Sequence, residues 1–230
     1  VAPRVWIVDG PEIRMDYAGV RLPFQTRMTV VRLPEGGLWL HSPTEPDEDL
    51  MARIEALGPV RFLIAPNTLH YWWIAEWAER FPEAEVWGAP GLEASTKRPL
   101  PAFRPLAAAP PPAWAEAIDQ VLVKGDMLTE VDFFHRPSRT LVLTDLIENF
   151  EPARVRSRWL RLLLRLAGAA DPDGKAPIDM QLSFVRQRPA VRAAAKRMIA
   201  WDPKRIILAH GRWYPENGTA ELKRAFRWVL

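Results

Sequence analysis

The chain has 230 residues, 48% hydrophobic and 26% charged, an ordinary balance for a globular protein able to bury a large core in one domain or two. Net charge is only +3 and cysteine is absent, which excludes disulfides and thiolate metal sites and leaves His, Asp and Glu as metal ligands. No apolar run approaches the ~20 residues of a membrane helix, the opening VAPRVWIVDG has no basic-then-apolar leader pattern, and a cytoplasmic location is expected.

RVWIVDG and RMTVVRLPEGGLWLHS carry β-branched and aromatic runs broken by Gly36 and Gly37, the pattern of antiparallel strands joined by a turn. In SPTEPDEDLMARIEALG, Thr44 with Asp47 three residues on predicts a capping box, and Pro46 suits an early helical turn. Leu50, Met51, Ile54 and Leu57 then share one face before the stop at Gly58. VRFLIAP is a strand, the spacing predicts a helix over 69–81 with Trp73, Trp77 and Phe81 turned to the core, and AEVWGAP resumes strand character. The Ala/Pro stretch 105–114 is an extended connection.

DQVLVKG, TEVDFFH and RTLVLTD read as strands, with HRPSR a hairpin turn that places His135 at the surface. Helical patterns follow in PARVRSRWLRLLLRLAG and RPAVRAAAKRMIAW. KRIILAHG is a short buried strand, and TAELKRAFRWVL closes with Leu222, Ala225, Phe226 and Val229 at helical spacing. Two β-rich halves, each followed by helices, predict two packed sheets covered outside by helices: a four-layer αββα sandwich, α/β in class, as a single domain over 1–230.

Polar residues mark the strand ends. His41 ends GLWLHS, His70 follows VRFLIAP, Asp145 ends RTLVLTD and His210 ends RIILAH. Ligands of α/β sheets sit beyond the carboxyl ends of strands, so these four are candidates for a metal or acid–base site. Each also has a structural reading: a carbonyl-bonded imidazole for His70, a turn cap for Asp145, a loop histidine before Gly211 for His210. Asn67 reads first as a helix N-cap.

APNTLHYWWIAEW, RTLVLTDLI and IILAHG, in that order, resemble the metallo-β-lactamase superfamily. More narrowly, IVDGP, GLWLHSP, APNTLH, FFHRPSRTLVLTDLI and LAHG resemble an uncharacterised bacterial branch with that fold and a degenerate metal motif. The resemblance spans most of the chain and implies the αββα sandwich and metal-dependent hydrolysis. The superfamily's His-x-His-x-Asp-His signature falls on Ala65, Asn67, Leu69 and His70, of which only the last is retained. The middle metal histidine falls near KGDMLT, where Asp126 is the closest polar substitute. Asp145 matches the bridging carboxylate and His210 the final histidine.

The resemblance thus implies a reduced site in which His70, Asp145 and His210 hold one zinc, iron or manganese ion. His41, Asn67 and Asp126 are additional site candidates, and Tyr71 and Trp72 wall the pocket. Two His and one carboxylate leave a coordination position open, where a metal acidifies water. That water is the expected catalytic agent, with Asp145 as candidate base and an ester- or thioester-like carbonyl of a small molecule as substrate. The lost ligands support an alternative: a metal-free pseudoenzyme that binds a small molecule or a protein.

Charge is unevenly spread. From 152 to 200, eleven Lys and Arg stand against three Asp. Val155, Trp159, Leu162, Leu163 and Leu166 recur beside Arg154, Arg156, Arg158, Arg161 and Arg165, making 155–166 a basic amphipathic helix. It either packs its leucines on the sheet with arginines in water or makes a peripheral contact with an anionic membrane; a lid or dimer contact is a third reading, by resemblance. The absence of a basic–aromatic groove motif makes nucleic acid an unexpected partner.

Overall fold

The computed structural model describes residues 1–17, 20–155 and 157–230; Arg156 of the basic segment lies outside the described residues. The chain divides into two compact units, Val1–Leu106 and Ala107–Leu230, and the division falls inside the Ala/Pro stretch.

The first unit opens with the antiparallel strands β1 (Val5–Tyr17) and β2 (Val20–Arg32). Gly36, at φ +94°, turns the chain into β3 (Leu38–His41), antiparallel to β2. Helix α1 (Glu48–Leu57) then carries the chain over to β4 (Val60–Ala65), and α2 (Ile74–Arg80) to β5 (Glu85–Gly88), each new strand parallel to the last. A short α3 (Leu92–Ser95) and β6 (Arg104–Pro105) complete a sheet ordered β1-β2-β3-β4-β5-β6. Leu40 and Leu63 from the sheet pack with Leu50 and Ile54 of α1 and with Trp73, Ile74 and Trp77. Trp77 closes this core by donating its indole N–H to the carbonyl of Thr44 at 2.7 Å.

Three local expectations change here. The first strand runs on through PEIRMDY, because β2 pairs with it residue by residue past an irregularity between Asp9 and Glu12. The cap of α1 is Asp47, whose carboxylate accepts from Leu50 N–H at 2.7 Å. Thr44 is instead buried, its hydroxyl 3.2 Å from that of Thr26. The helix expected over 69–81 begins only at Ile74; residues 70–73 form a turn instead, and Ile74 N–H donates to the Tyr71 carbonyl at 3.1 Å. Its aromatic pattern holds: Trp73 and Trp77 are buried, and Phe81 stacks on Trp77 with ring centroids 5.7 Å apart.

The second unit begins with the antiparallel run β7 (Ile118–Lys124), β8 (Thr129–His135) and β9 (Thr140–Val142). Helices α4 (Arg158–Ala167), α5 (Ile178–Ser183) and α6 (Arg188–Ala200) come before β10 (Arg205–Ile207), which joins β9 in parallel, and α7 (Gly218–Ala225) follows. The sheet order is β10-β9-β8-β7. Val121, Phe134 and Leu141 meet Val191, Ala195 and Met198 of α6 and Leu222 of α7 in one apolar cluster. His135 is buried rather than exposed: its Nδ1 lies 2.7 Å from Ser138 Oγ, which donates to Thr140 Oγ1 at 2.7 Å, so the turn folds over the ring. No described helix is long and apolar enough to cross a membrane.

Candidate metal centre

In the first unit the candidate residues follow β3 and β4. Asn67 is fully buried, and its Oδ1 accepts from Leu69 N–H at 2.9 Å and His70 N–H at 2.8 Å. This satisfies two backbone donors of the turn ahead of α2; it is an Asx-type turn and not the helix N-cap expected of Asn67, since α2 starts at Ile74 with Trp73 as its N-cap. His70 is half-buried, with Nδ1 2.8 Å from Ser42 Oγ. Ser42 sits just past β3 at φ +52°, in the left-handed region. A hydroxyl on Nδ1 fixes the ring's orientation, the kind of outer partner that ligating histidines have.

His41 is buried and stacks on Trp39 with centroids 5.5 Å apart. Burial, then the neighbouring His70, lowers its pKa to about 3, so the ring is neutral at physiological pH. Tyr71 belongs to the first unit's apolar cluster, and its hydroxyl accepts from Lys97 N–H at 2.9 Å. Trp72 lies under the Arg98 guanidinium, 4.9 Å from ring centroid to Cζ.

In the second unit, Asp145 and His210 come just beyond β9 and β10. They are 3% and 4% exposed, and Oδ1 of Asp145 is 3.1 Å from Nε2 of His210. Phe150 stacks on His210 with centroids 6.1 Å apart and planes within 11°. Glu130, buried on β8, positions the segment behind Asp145: its two carboxylate oxygens accept from Thr144 and Asp145 N–H, both at 2.9 Å. Asp126, by contrast, is exposed and accepts from Gln187 Nε2 at 2.7 Å, a surface pairing that accounts for its carboxylate.

Two further buried acids surround this pair, and neither was singled out by sequence reasoning. Asp132 is fully buried on β8; burial first, and then the fields of Glu130 and Asp145, raise its pKa well above the usual carboxylate value. Neither of its oxygens has a hydrogen-bond partner of good geometry. Glu148 is pushed up to about 8, chiefly by burial and further by Asp145 and Glu130, with His210 opposing. The available signal was the alternation of TEVDFFH, which places Glu130 and Asp132 on the same face as the core residue Phe134.

Among the described residues, one group of side chains could hold a metal ion: His70, Asp145 and His210. His41, Asn67 and Asp126 are outside it. The donor set fits a metal. Two imidazoles and a carboxylate suit zinc or iron with a position left open. The 3.1 Å between Asp145 Oδ1 and His210 Nε2 is close to the ~3.3 Å edge of a tetrahedron with ~2.0–2.1 Å metal–ligand bonds. The fields of Asp145 and Glu130 are part of what raises Asp132 and Glu148, a mutual repulsion that a bound cation would relieve. Against the superfamily signature the set is reduced: Ala65 is buried in the core, Asn67 serves the turn, and Leu69 offers no donor.

Two predictions arise from these positions. Asn67→Ala removes the side-chain acceptor of two backbone N–H groups and is expected to cost about 1–2 kcal/mol, a fall of about 5 °C in thermal midpoint for a chain this size. Asn67→Asp, which keeps the acceptor, should retain most of that stability in melts followed by circular dichroism. The second concerns pH. The folded pKa of Asp132 lies above its unfolded value, so stability is complete below about pH 4 and is lost as pH rises towards the folded value. Asp132→Asn removes this loss. Its midpoint should match wild type near pH 4 and exceed it as pH rises above that, and a gap that stays constant with pH would refute the assignment.

Comparison with known proteins bears on the fold. No curated protein matches the chain. Solved structures match it throughout. A metallo-beta-lactamase from Pontibacter korlensis is 15% identical with a TM-score of 0.62, over 100% of this chain and 96% of that one. The DIM-1 metallo-beta-lactamase is 12% identical with a TM-score of 0.64, over 100% and 95%. The metallo-beta-lactamase FIM-1 from Pseudomonas aeruginosa, in its mono-zinc form, is 14% identical with a TM-score of 0.57, over 100% and 92%. At such identities the likeness shows the fold: an α/β sandwich of mixed sheets flanked by helices, of metallo-β-lactamase type. Over residues 5–158, more than half of its length, the sequence matches the family model described as Domain of unknown function (DUF4336), and the chain belongs to that family.

Proposed function

We propose that the protein is a metal-dependent hydrolase acting on an ester- or thioester-like carbonyl of a small molecule, with one zinc, iron or manganese ion held by His70, Asp145 and His210. The observation that carries this reading is the three-residue ligand set on a metallo-β-lactamase fold. One of the structural neighbours is itself described in a mono-zinc form, a precedent for a single ion on this fold.

His70, Asp145 and His210 would hold the ion, which when bound would supply Lewis acidity towards a carbonyl oxygen and acidify water. The chain's own residues do the rest. Ser42 orients His70 through Nδ1. Glu130 holds the backbone that carries Asp145, and Phe150 stacks against His210. The Asp145 carboxylate is the candidate to take up a proton. His41, neutral at its lowered pKa of about 3, adds no charge. Two-metal chemistry is not part of the proposal, because Ala65, Asn67 and Leu69 do not supply a second ligand set.

The test is elemental mass spectrometry of protein purified without a histidine tag or added metal, beside His70→Ala and His210→Ala. About one equivalent of zinc, iron or manganese, lost in both variants, supports the reading and leads to an ester and thioester screen with chelator controls. No metal even after reconstitution would sink it and leave the binding-module alternative, with Asp145 and His210 as a buried polar pair.

A further inference from the structure

Helix α4 presents an apolar face outward. Ser157 caps it, its Oγ accepting from Leu160 N–H at 3.2 Å, and Gly168 ends it at φ +78°. Leu160, Leu163 and Leu164 are half-buried. Trp159, Leu162 and Leu166, however, are 66%, 44% and 64% exposed, and at 100° per residue they fall within a sector of about 60°. Arg158 and Arg165, both exposed, border that sector on its Leu162 side, and α4 contains no acidic residue. A domain helix that merely hides its leucines would expose the opposite composition.

We infer that α4 is a membrane-docking element that lays Trp159, Leu162 and Leu166 into the surface of an anionic lipid bilayer. Charge complementarity selects this occupant. The arginines beside the apolar sector match anionic headgroups, and their stems can reach outward while the leucines sit at the acyl boundary. An indole at the edge of such a face suits the headgroup level. A second copy is a poorer fit. Pairing two α4 helices about a two-fold axis would bring both sets of arginines into one interface, with no carboxylate on either helix to neutralise them. This inference does not depend on the metal reading, since none of these residues belongs to the ligand set.

The experiment is co-sedimentation of the full chain with vesicles of phosphatidylcholine alone or enriched in phosphatidylglycerol, at low and high salt. Expected is binding at least about tenfold stronger to the anionic vesicles and weakened by salt. Arg158→Gln or Arg165→Gln should lower it about fivefold, and Leu162→Glu by tenfold or more. Thermal midpoints of these surface variants should equal wild type, which separates lost docking from lost folding. Equal binding by wild type and Leu162→Glu overturns the inference, as does failure to bind either vesicle. A wild-type dimer in sedimentation velocity that Leu162→Glu dissolves, without vesicle binding, would assign the face to a second copy and overturn it equally.

Discussion

His210→Ala is expected to lower the thermal midpoint of the metal-free protein by about 10 °C and to leave less than a tenth of the wild-type metal. The first effect follows from burial. Asp145 and His210 are each about nineteen-twentieths removed from solvent and 3.1 Å apart. Removing one member of such a pair costs about 3–5 kcal/mol, because the other charge stays in a low-dielectric setting without its compensation. For a chain of this length each kcal/mol is worth about 2–4 °C. The stacking of His210 on Phe150 is lost as well, leaving a space the size of an imidazole.

Asp145→Asn separates the two effects. It should strip the metal as thoroughly, since an amide oxygen is a far weaker ligand than a carboxylate. Yet it preserves the shape and an acceptor for the imidazole N–H, and it removes one negative charge from a region where Glu130, Asp132 and Glu148 are already buried. The metal-free variant should therefore melt within a few degrees of wild type. Chelator-treated melts beside elemental analysis read both quantities. If neither substitution changes metal content, the ligand assignment is wrong. If His210→Ala melts like wild type without metal, the pair contributes no structural stability.

What could be read without coordinates was governed by the range of the signals. Strands such as VRFLIA and DQVLVK announce themselves by local composition, and their order was enough to predict the fold class. His70, Asp145 and His210 were legible because each follows a strand and the resemblance supplied a template for their spacing. The rest depended on partners far along the chain. Residues 70–73 form a turn ahead of α2 and not its first turn, and Tyr71 within it is tied to Lys97 N–H, far along the chain. His135 looked like a turn residue until Ser138 and Thr140 folded beneath it. In α4 both the outward and the inward faces contain leucines, so periodicity showed amphipathicity without saying which leucines would be left in water. Asp126 fell near a superfamily ligand in sequence, but its carboxylate is taken by Gln187 at the surface.

Strand alternation places Glu130 on an inward face without saying what it does there, and its contacts support the sharpest remaining prediction. A carboxylate on an inward-facing strand position is unfavourable unless its oxygens are met, and here two backbone N–H groups meet them at 2.9 Å. Glu130→Ala breaks both contacts and leaves two buried donors, an expected cost of about 3–5 kcal/mol. It also frees the segment that carries Asp145, so metal affinity should fall about 10–100-fold although Glu130 is not in the ligand set. Glu130→Gln keeps one acceptor but turns an amide towards the other N–H, donor against donor, and should recover only part of the stability. A competition titration with a chromophoric chelator, run beside thermal melts, distinguishes the roles. Loss of stability with unchanged affinity would make Glu130 a structural clamp alone. Loss of affinity that Glu130→Gln partly restores, in proportion to its stability, would show that the chain positions Asp145 through its backbone, from a strand face where sequence pattern predicts only core.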